Sequence, residues 1–398
     1  MSLYITPNEF QGSDIERINQ AASAASERGQ ILVIPKVNKK AAAGQPRDLW
    51  LIDQAIMLAS DTTVELHNAH IKLSDRCRDN FFRSANCGMG INPIEPASHI
   101  HIIGKGNALL EGADNPRATG DSAKTIGERT HGSDAGNEGE SQKGDWRNIG
   151  ILMANVSNFS IENISIKDSH CWGISLEYCH HGKVRDVHFE STGSKIVDGQ
   201  KVTILNQDGL DLRQGCHDIH IENITGHTGD DLIALTAIHH QNLEAGGLCS
   251  TMVSGKGQPD DAIHSVTIRN VRGHCAGGHH IVRFLNTGDM QMYDIVLDGL
   301  IDTSQAPDRS RASVKIGDAN PAYGGINSLG NTRRIMVSNI ITRSTYPVLV
   351  GGSLCDSTMA NVMQHDGTGD PITFEAGEQL IRNVKVINVQ NVTQVSPV

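Results

Sequence analysis

Several things are scarce in this chain of 398 residues, and each scarcity excludes a class of protein. Only 4% of residues are aromatic and only 12 are proline. No run of 18 or more apolar residues occurs, so no helical membrane span is expected. The first residues, Met1 to Pro7, lack the basic region and apolar core of a signal peptide. A cytoplasmic protein is expected if that start is native, and a secreted or periplasmic one if a leader has been trimmed. The 8 cysteines form no C-x-x-C pair, which argues against a zinc cluster and for buried free thiols. Positive charge is also in deficit, with a net charge of −11. Nucleic acid and anionic membranes would not be steered to such a surface, and a polyanionic polysaccharide would need a locally basic cleft.

What is abundant is glycine, at 41 residues, and a returning phrase. The phrase is apolar-x-apolar-x-Asn-apolar. It appears as Val64 to Ala69, Phe159 to Ile164, Ile219 to Ile224, Val266 to Val271, Ile335 to Ile340 and Val384 to Val389. Looser copies begin at Ile100, Val184 and Ile295. Alternation places the apolar residues on one face of a strand. Asn, Asp or Gly at the fifth place supplies a bend that tolerates left-handed backbone. The repetition predicts an all-β solenoid, a parallel β-helix in which strands stack coil upon coil. A β-sandwich would want tight hairpin turns every 8–12 residues or so, and these are scarce.

Residues 13–28 read as one amphipathic helix, with Ser13 and Glu16 in capping-box spacing and Gly29 after its end. Ile31 to Pro35 follows as a strand. The helix is expected to cap one end of the core, so 1–35 is a cap within the same domain and 36–398 is the β-helix. Four polar, Gly-rich stretches read as insertions: 113–148, 239–262, 303–330 and 355–379. Insertions emerging on one side of a solenoid wall a groove across its coils.

The chemistry concentrates in 206–237. Asp208 lies in Asn206-Gln207-Asp208-Gly209, and Asp230 and Asp231 lie in Gly229-Asp230-Asp231. Asp208 and Asp230 hold similar places relative to their strands, so they are expected about one rung, ~4.8 Å, apart. Like charges that close push at least one carboxyl pKa upward, leaving an acid beside an ionised base. Glycosidic hydrolysis needs that division of labour.

These residues carry a resemblance. Asn206 to Gly209 and Gly229 to Asp231 resemble the Asn-Thr-Asp and Asp-Asp motifs of the polygalacturonase family, glycoside hydrolase family 28. Ser169-His170-Cys171-Trp172 is similar to its Ser-Pro-x-Trp segment. The likeness is strongest over about residues 150–237. It implies a right-handed parallel β-helix of the pectin-lyase-like kind and single-displacement hydrolysis of a pectin-like saccharide, galacturonide or related, with inversion. Adjacent rungs are closer than the ~6.5–9.5 Å usual for inverting pairs, so inversion comes from the resemblance alone. By analogy Asp230 is the general acid, and Asp208 and Asp231 hold and deprotonate the attacking water. Asn206, heading the first motif, is carried over as a substrate contact. No metal or organic cofactor is implied, and the expected partner is a carbohydrate.

Two departures stand out. The family's Gly-His-Gly is matched by Gly278-His279-His280, with Gly273-His274-Cys275 as a competitor. His279 is the preferred candidate, tuning an Asp or binding a sugar hydroxyl. The family's Arg-Ile-Lys, which clamps a uronic carboxylate, is matched by Ser313-Val314-Lys315-Ile316. Lys315 is retained, whereas Ser313 stands in the place of Arg. Arg311, Arg283 or Arg213 are the candidates to substitute. A polysaccharide lyase or epimerase, with calcium on the Asp cluster, and a non-catalytic carbohydrate-binding or tail-fibre solenoid are the rival readings.

Overall fold

The computed structural model describes residues 3–40, 45–115, 146–238, 261–305, 309–365 and 369–392. The expected helix forms over Asp14–Arg28. Ser13 accepts from the Glu16 amide, and the Glu16 carboxylate accepts from the Ser13 amide at 2.7 Å, closing the capping box. Gly29, at φ 59°, turns the chain out of the helix. Ile15, Ile18, Ala21, Ala22 and Ala25 are buried, and this face covers the first coils. The helix therefore seals an end of the solenoid that would otherwise expose its core.

Beyond it the chain winds as a parallel β-helix. Among the described residues, one sheet of 16 strands holds mostly long strands in chain order, and a second of 10 strands holds one short strand per coil. Every pairing within both sheets is parallel, as between His217–Thr228 and Ile263–Cys275. The inward residues stack in rows. Ile221 pairs with Ile268, Ile268 with Leu297, and Leu297 with Val337, and all four are buried. Truncating one of them to Ala would cost roughly 2–5 kcal/mol, transfer and cavity together.

The fifth residue of the repeated phrase makes the corner of each coil. Asn163, Asn223, Asn270, Asn339 and Asn388 all have φ between 55° and 59°, and Asp186 sits at 54°. Such backbone strains most L-residues but suits Asn and Asp. The amides then stack. Asn270 Nδ2 donates to Asn223 Oδ1 at 3.2 Å, Asn361 to Asn339 at 2.9 Å and Asn388 to Asn361 at 3.1 Å. Gly299 occupies the corner in one coil, and there Asn339 reaches Asp298 instead, at 2.7 Å.

Two of the four expected insertions are corrected. Within 303–330 lies the strand Ala312–Ile316, and 355–379 is largely strand, Leu354–His365 and Ile372–Phe374. Glycine and polar composition had hidden an ordinary alternation, in which Met359 and Val362 face the core. The polar stretches 113–148 and 239–262 lie almost wholly outside the described residues. Among the described residues a hairpin interrupts the parallel order, Ser194–Val197 with Gln200–Thr203 around Asp198-Gly199.

Candidate active site

Four short strands of the second sheet carry the site: β1 (Leu210–Leu212), β2 (Ile233–Ala237), β3 (His280–Asn286) and β4 (Ala312–Ile316). Each enters from a corner where the chain leaves the long sheet. The carboxylates sit at these corners, where side chains leave the ladder and point outward.

Register decides which side chains meet. Leu210 pairs with Ile233 and Ile233 with Val282. Asp208, two residues before Leu210, therefore shares a row with Asp231, two before Ile233, and with His280, two before Val282. The Gly209 amide bonds the Asp231 carbonyl at 2.9 Å, and the Leu232 amide bonds the His280 carbonyl at 3.3 Å, as this alignment requires. Asp230 instead aligns with Gln207 and His279. The expected equivalence of Asp208 with Asp230 is thus corrected by one residue: the rung is set by the inward-facing Leu210 and Ile233, two residues after Asp208 and two after Asp231. A second outward row runs Ser175, Asp211, Ala234, Arg283, Lys315. Together the two rows form a polar floor over the core.

Gln207 fixes the first corner. Fully buried, it donates from Nε2 to the Ser169 carbonyl at 2.7 Å and accepts from the Gly193 amide at 2.8 Å. Its own carbonyl accepts from the amides of Gly229 and Asp230, at 3.0 and 3.1 Å. Gly229 has no alternative here, because a Cβ would stand 2.2 Å from Gly193 Cα. The Asp-Asp corner is therefore pegged to the coil before it.

Asp231 is buried and densely bonded. Its Oδ1 accepts from the His280 amide at 3.0 Å and from His280 Nδ1 at 2.8 Å. Arg283 Nη1 lies 3.4 Å from its Oδ2. Burial alone would raise its pKa, but the His280 bonds and the Arg283 charge outweigh that and hold the carboxyl well below the usual range. Burial lowers the pKa of His280 against the opposing pull of Asp231. Asp230 has no such support. Burial and then the Asp231 charge push its pKa up to about 6, against the opposing pull of His279 and Arg283. Its Oδ1 faces His279 Nδ1 at 3.5 Å and accepts from the Asp231 amide at 3.0 Å. Asp208 is raised well above a normal carboxyl by burial first, then by the charges of Asp230, Asp211 and Asp231. Its Oδ1 has no hydrogen-bond partner within the described protein. Position alone thus pushes the pKa values of neighbouring carboxyls in opposite directions, Asp231 down and Asp230 and Asp208 up.

The structure brings Asp208, Asp230, Asp231, His279 and Arg283 together, and links Lys315 to them through Asp318. Arg283 Nη2 and Lys315 Nζ both donate to Asp318 Oδ2, at 2.8 and 2.7 Å. Asn206 is exposed at the corner in left-handed backbone. Arg213 is buried with its guanidinium 4.8 Å from the centre of the Trp172 ring. Arg311 is half-exposed, 3.8 Å from Glu375. His274 stacks on His227 at 5.3 Å, with Thr303 Oγ1 2.9 Å from its Nδ1. His280, Asp211 and Asp318 escaped the sequence reading. The first two could have been found by aligning Leu210, Ile233 and Val282 as inward residues. Asp318 works through a turn, and no strand pattern points to it. Among the described residues, no group of three or more His, Cys, Asp or Glu is placed to hold a metal ion.

Comparison with known proteins bears on the same stretch. Residues 127–282 match the family model described as glycosyl hydrolases family 28. No curated protein matches the sequence. Among solved structures, endo-xylogalacturonan hydrolase from Aspergillus tubingensis superposes with a TM-score of 0.57 at 13% identity, over 98% of this chain and 93% of that one. A polygalacturonase from Erwinia carotovora gives 0.52 at 13%, over 99% and 95%. The tailspike protein of E. coli bacteriophage HK620 gives 0.58 at 12%, over 99% and 67%. At these identities the superpositions speak for the fold. Over the segment that carries its clustered aspartates this chain matches glycosyl hydrolases family 28, borne on the parallel β-helix that polygalacturonases share.

Proposed function

We propose that the protein is an inverting glycoside hydrolase acting on a pectin-like saccharide, with Asp230 as general acid. The observation that carries this is the unequal environment of two adjacent carboxyls, Asp231 held ionised and Asp230 poised at about 6. A general acid works best when its pKa lies near the working pH. Asp230 protonates the leaving oxygen, and the glycosidic bond breaks as water adds from the opposite face. Asp231, held ionised by His280 and Arg283, takes the proton of that water, and Asp208 helps to hold it. Protonation of Asp230 removes the largest of the neighbouring charges that raise Asp208, while burial, the leading cause, remains. The titration belongs to the cluster.

Substitution of Asp230 or Asp231 by Asn tests this reading. Each variant is expected to fold and to lose about 10²–10⁴-fold in turnover, with new reducing ends as the wild-type product. Near-normal turnover in both variants overturns the assignment. An unsaturated product identifies a lyase instead.

A further inference from the structure

Three cations near the site, Arg283, Lys315 and Arg311, already face carboxylates of the protein. Arg283 lies between Asp231 and Asp318, at 3.4 and 2.8 Å. Lys315 is bonded to Asp318 at 2.7 Å. Arg311 lies 3.8 Å from Glu375, both about half-exposed. Arg283, Lys315 and Asp318 are largely buried, so their pairing excludes water and is not a loose surface contact.

Asp318 is placed for this by the chain. Gly317 ends β4 at φ 76°, and its amide bonds the Phe284 carbonyl at 2.8 Å. A Cβ on Gly317 would stand 2.5 Å from Gly352 Cα. The turn folds Asp318 back over Lys315, and Asp318 Oδ1 accepts from the Asn320 amide at 2.9 Å. Burial opposes its ionisation, but Lys315, the Asn320 amide and Arg283 lower its pKa to about 2, so the charge persists across the working range.

A uronate entering this floor would compete with a tethered, ionised carboxylate for the same two donors. It would also meet Asp231 beside Arg283. We propose that Asp318 is a built-in counter-carboxylate, so that the subsite over Arg283 and Lys315 selects an uncharged sugar unit. This rests on the hydrolase reading for the floor being the substrate face. It also accounts for an acidic protein handling a pectin-like chain: the sugar unit met at this floor is neutral, as an esterified or non-uronic residue would be.

Binding separates this inference from catalysis. A trigalacturonate and its fully methyl-esterified form differ in charge and little else. Calorimetric titration of the wild-type protein is expected to show the ester bound about tenfold more tightly. D318N frees Lys315 and leaves Arg283 with Asp231 alone, while keeping an oxygen for the Asn320 amide, and is expected to shift the ratio toward the free acid by about tenfold. Preference of the wild type for the free acid overturns the proposal, as does binding of neither form or an unmoved ratio in folded D318N. If D318N fails to fold, the wild-type ratio alone decides. Product analysis on the same ligands is scored separately: preferential binding of the ester without cleavage counts against the hydrolase reading and not against the charge selection.

Discussion

Replacing His279 with Ala probes the acid directly. His279 is half-exposed and its Nδ1 lies 3.5 Å from Asp230 Oδ1. A charged imidazole there favours the ionised carboxylate, and it opposes the upward push of burial and Asp231 on Asp230. At that distance a unit pair is worth roughly 1–2 kcal/mol at effective dielectric constants of ~40–80, which suit a half-exposed site. That corresponds to about one pKa unit. The wild-type profile of kcat/KM against pH should lose activity above about 6, where Asp230 gives up its proton. In the His279→Ala enzyme this alkaline limb should move up by about half to one unit, with little change in thermal stability, because the lost side chain is solvated. Initial rates on a cleaved oligosaccharide between pH 4 and 9 measure the shift. A limb that stays in place, or moves down, refutes the pairing of His279 with Asp230 or the role of Asp230 as acid.

Other substitutions read the site and scaffold separately. Burial raises Asp211, Arg213 opposes, and Asp231 and Asp230 raise it further. Its folded pKa thus exceeds the unfolded one, so its contribution to stability is complete below pH ~4 and lost as pH rises through the folded value. Asp211→Asn should therefore raise Tm at pH 8 more than at pH 4, as read by calorimetry. At the corners, Asn270→Ala should cost about 1–2 kcal/mol in denaturant titration, for the left-handed backbone and the lost bond to Asn223. Asn270→Gly should recover the backbone part.

The scaffold was legible because it repeats. The Asn corners, the inward Ile and Val rows and the Ser13 cap each follow from local preference, and neighbouring coils enforce the same choice. The site was legible in its carboxylates but not in their pairing. Asp208 lines up with Asp231 because Leu210 and Ile233 face the core together, a fact of register that puts Asp230 one residue out of that row. His280 was passed over for His279, yet both face the cluster, the one bonding Asp231 and the other facing Asp230. Asp318 was invisible for a different reason. It acts by folding back across a tight turn onto a residue three positions earlier, and such a contact leaves no periodic trace.

Register has one more consequence. The path from Ile233 to Val282 holds more than twice as many residues as that from Leu210 to Ile233, yet each is a single step along the floor. Contour length and floor spacing are therefore independent variables. A coil can lengthen by many residues while the distance between these rows stays locked to one interstrand spacing. Insertions and deletions in that path would leave the spacing of Asp208, Asp231 and His280 in place. In such a solenoid, chain length and row spacing lie on separate axes.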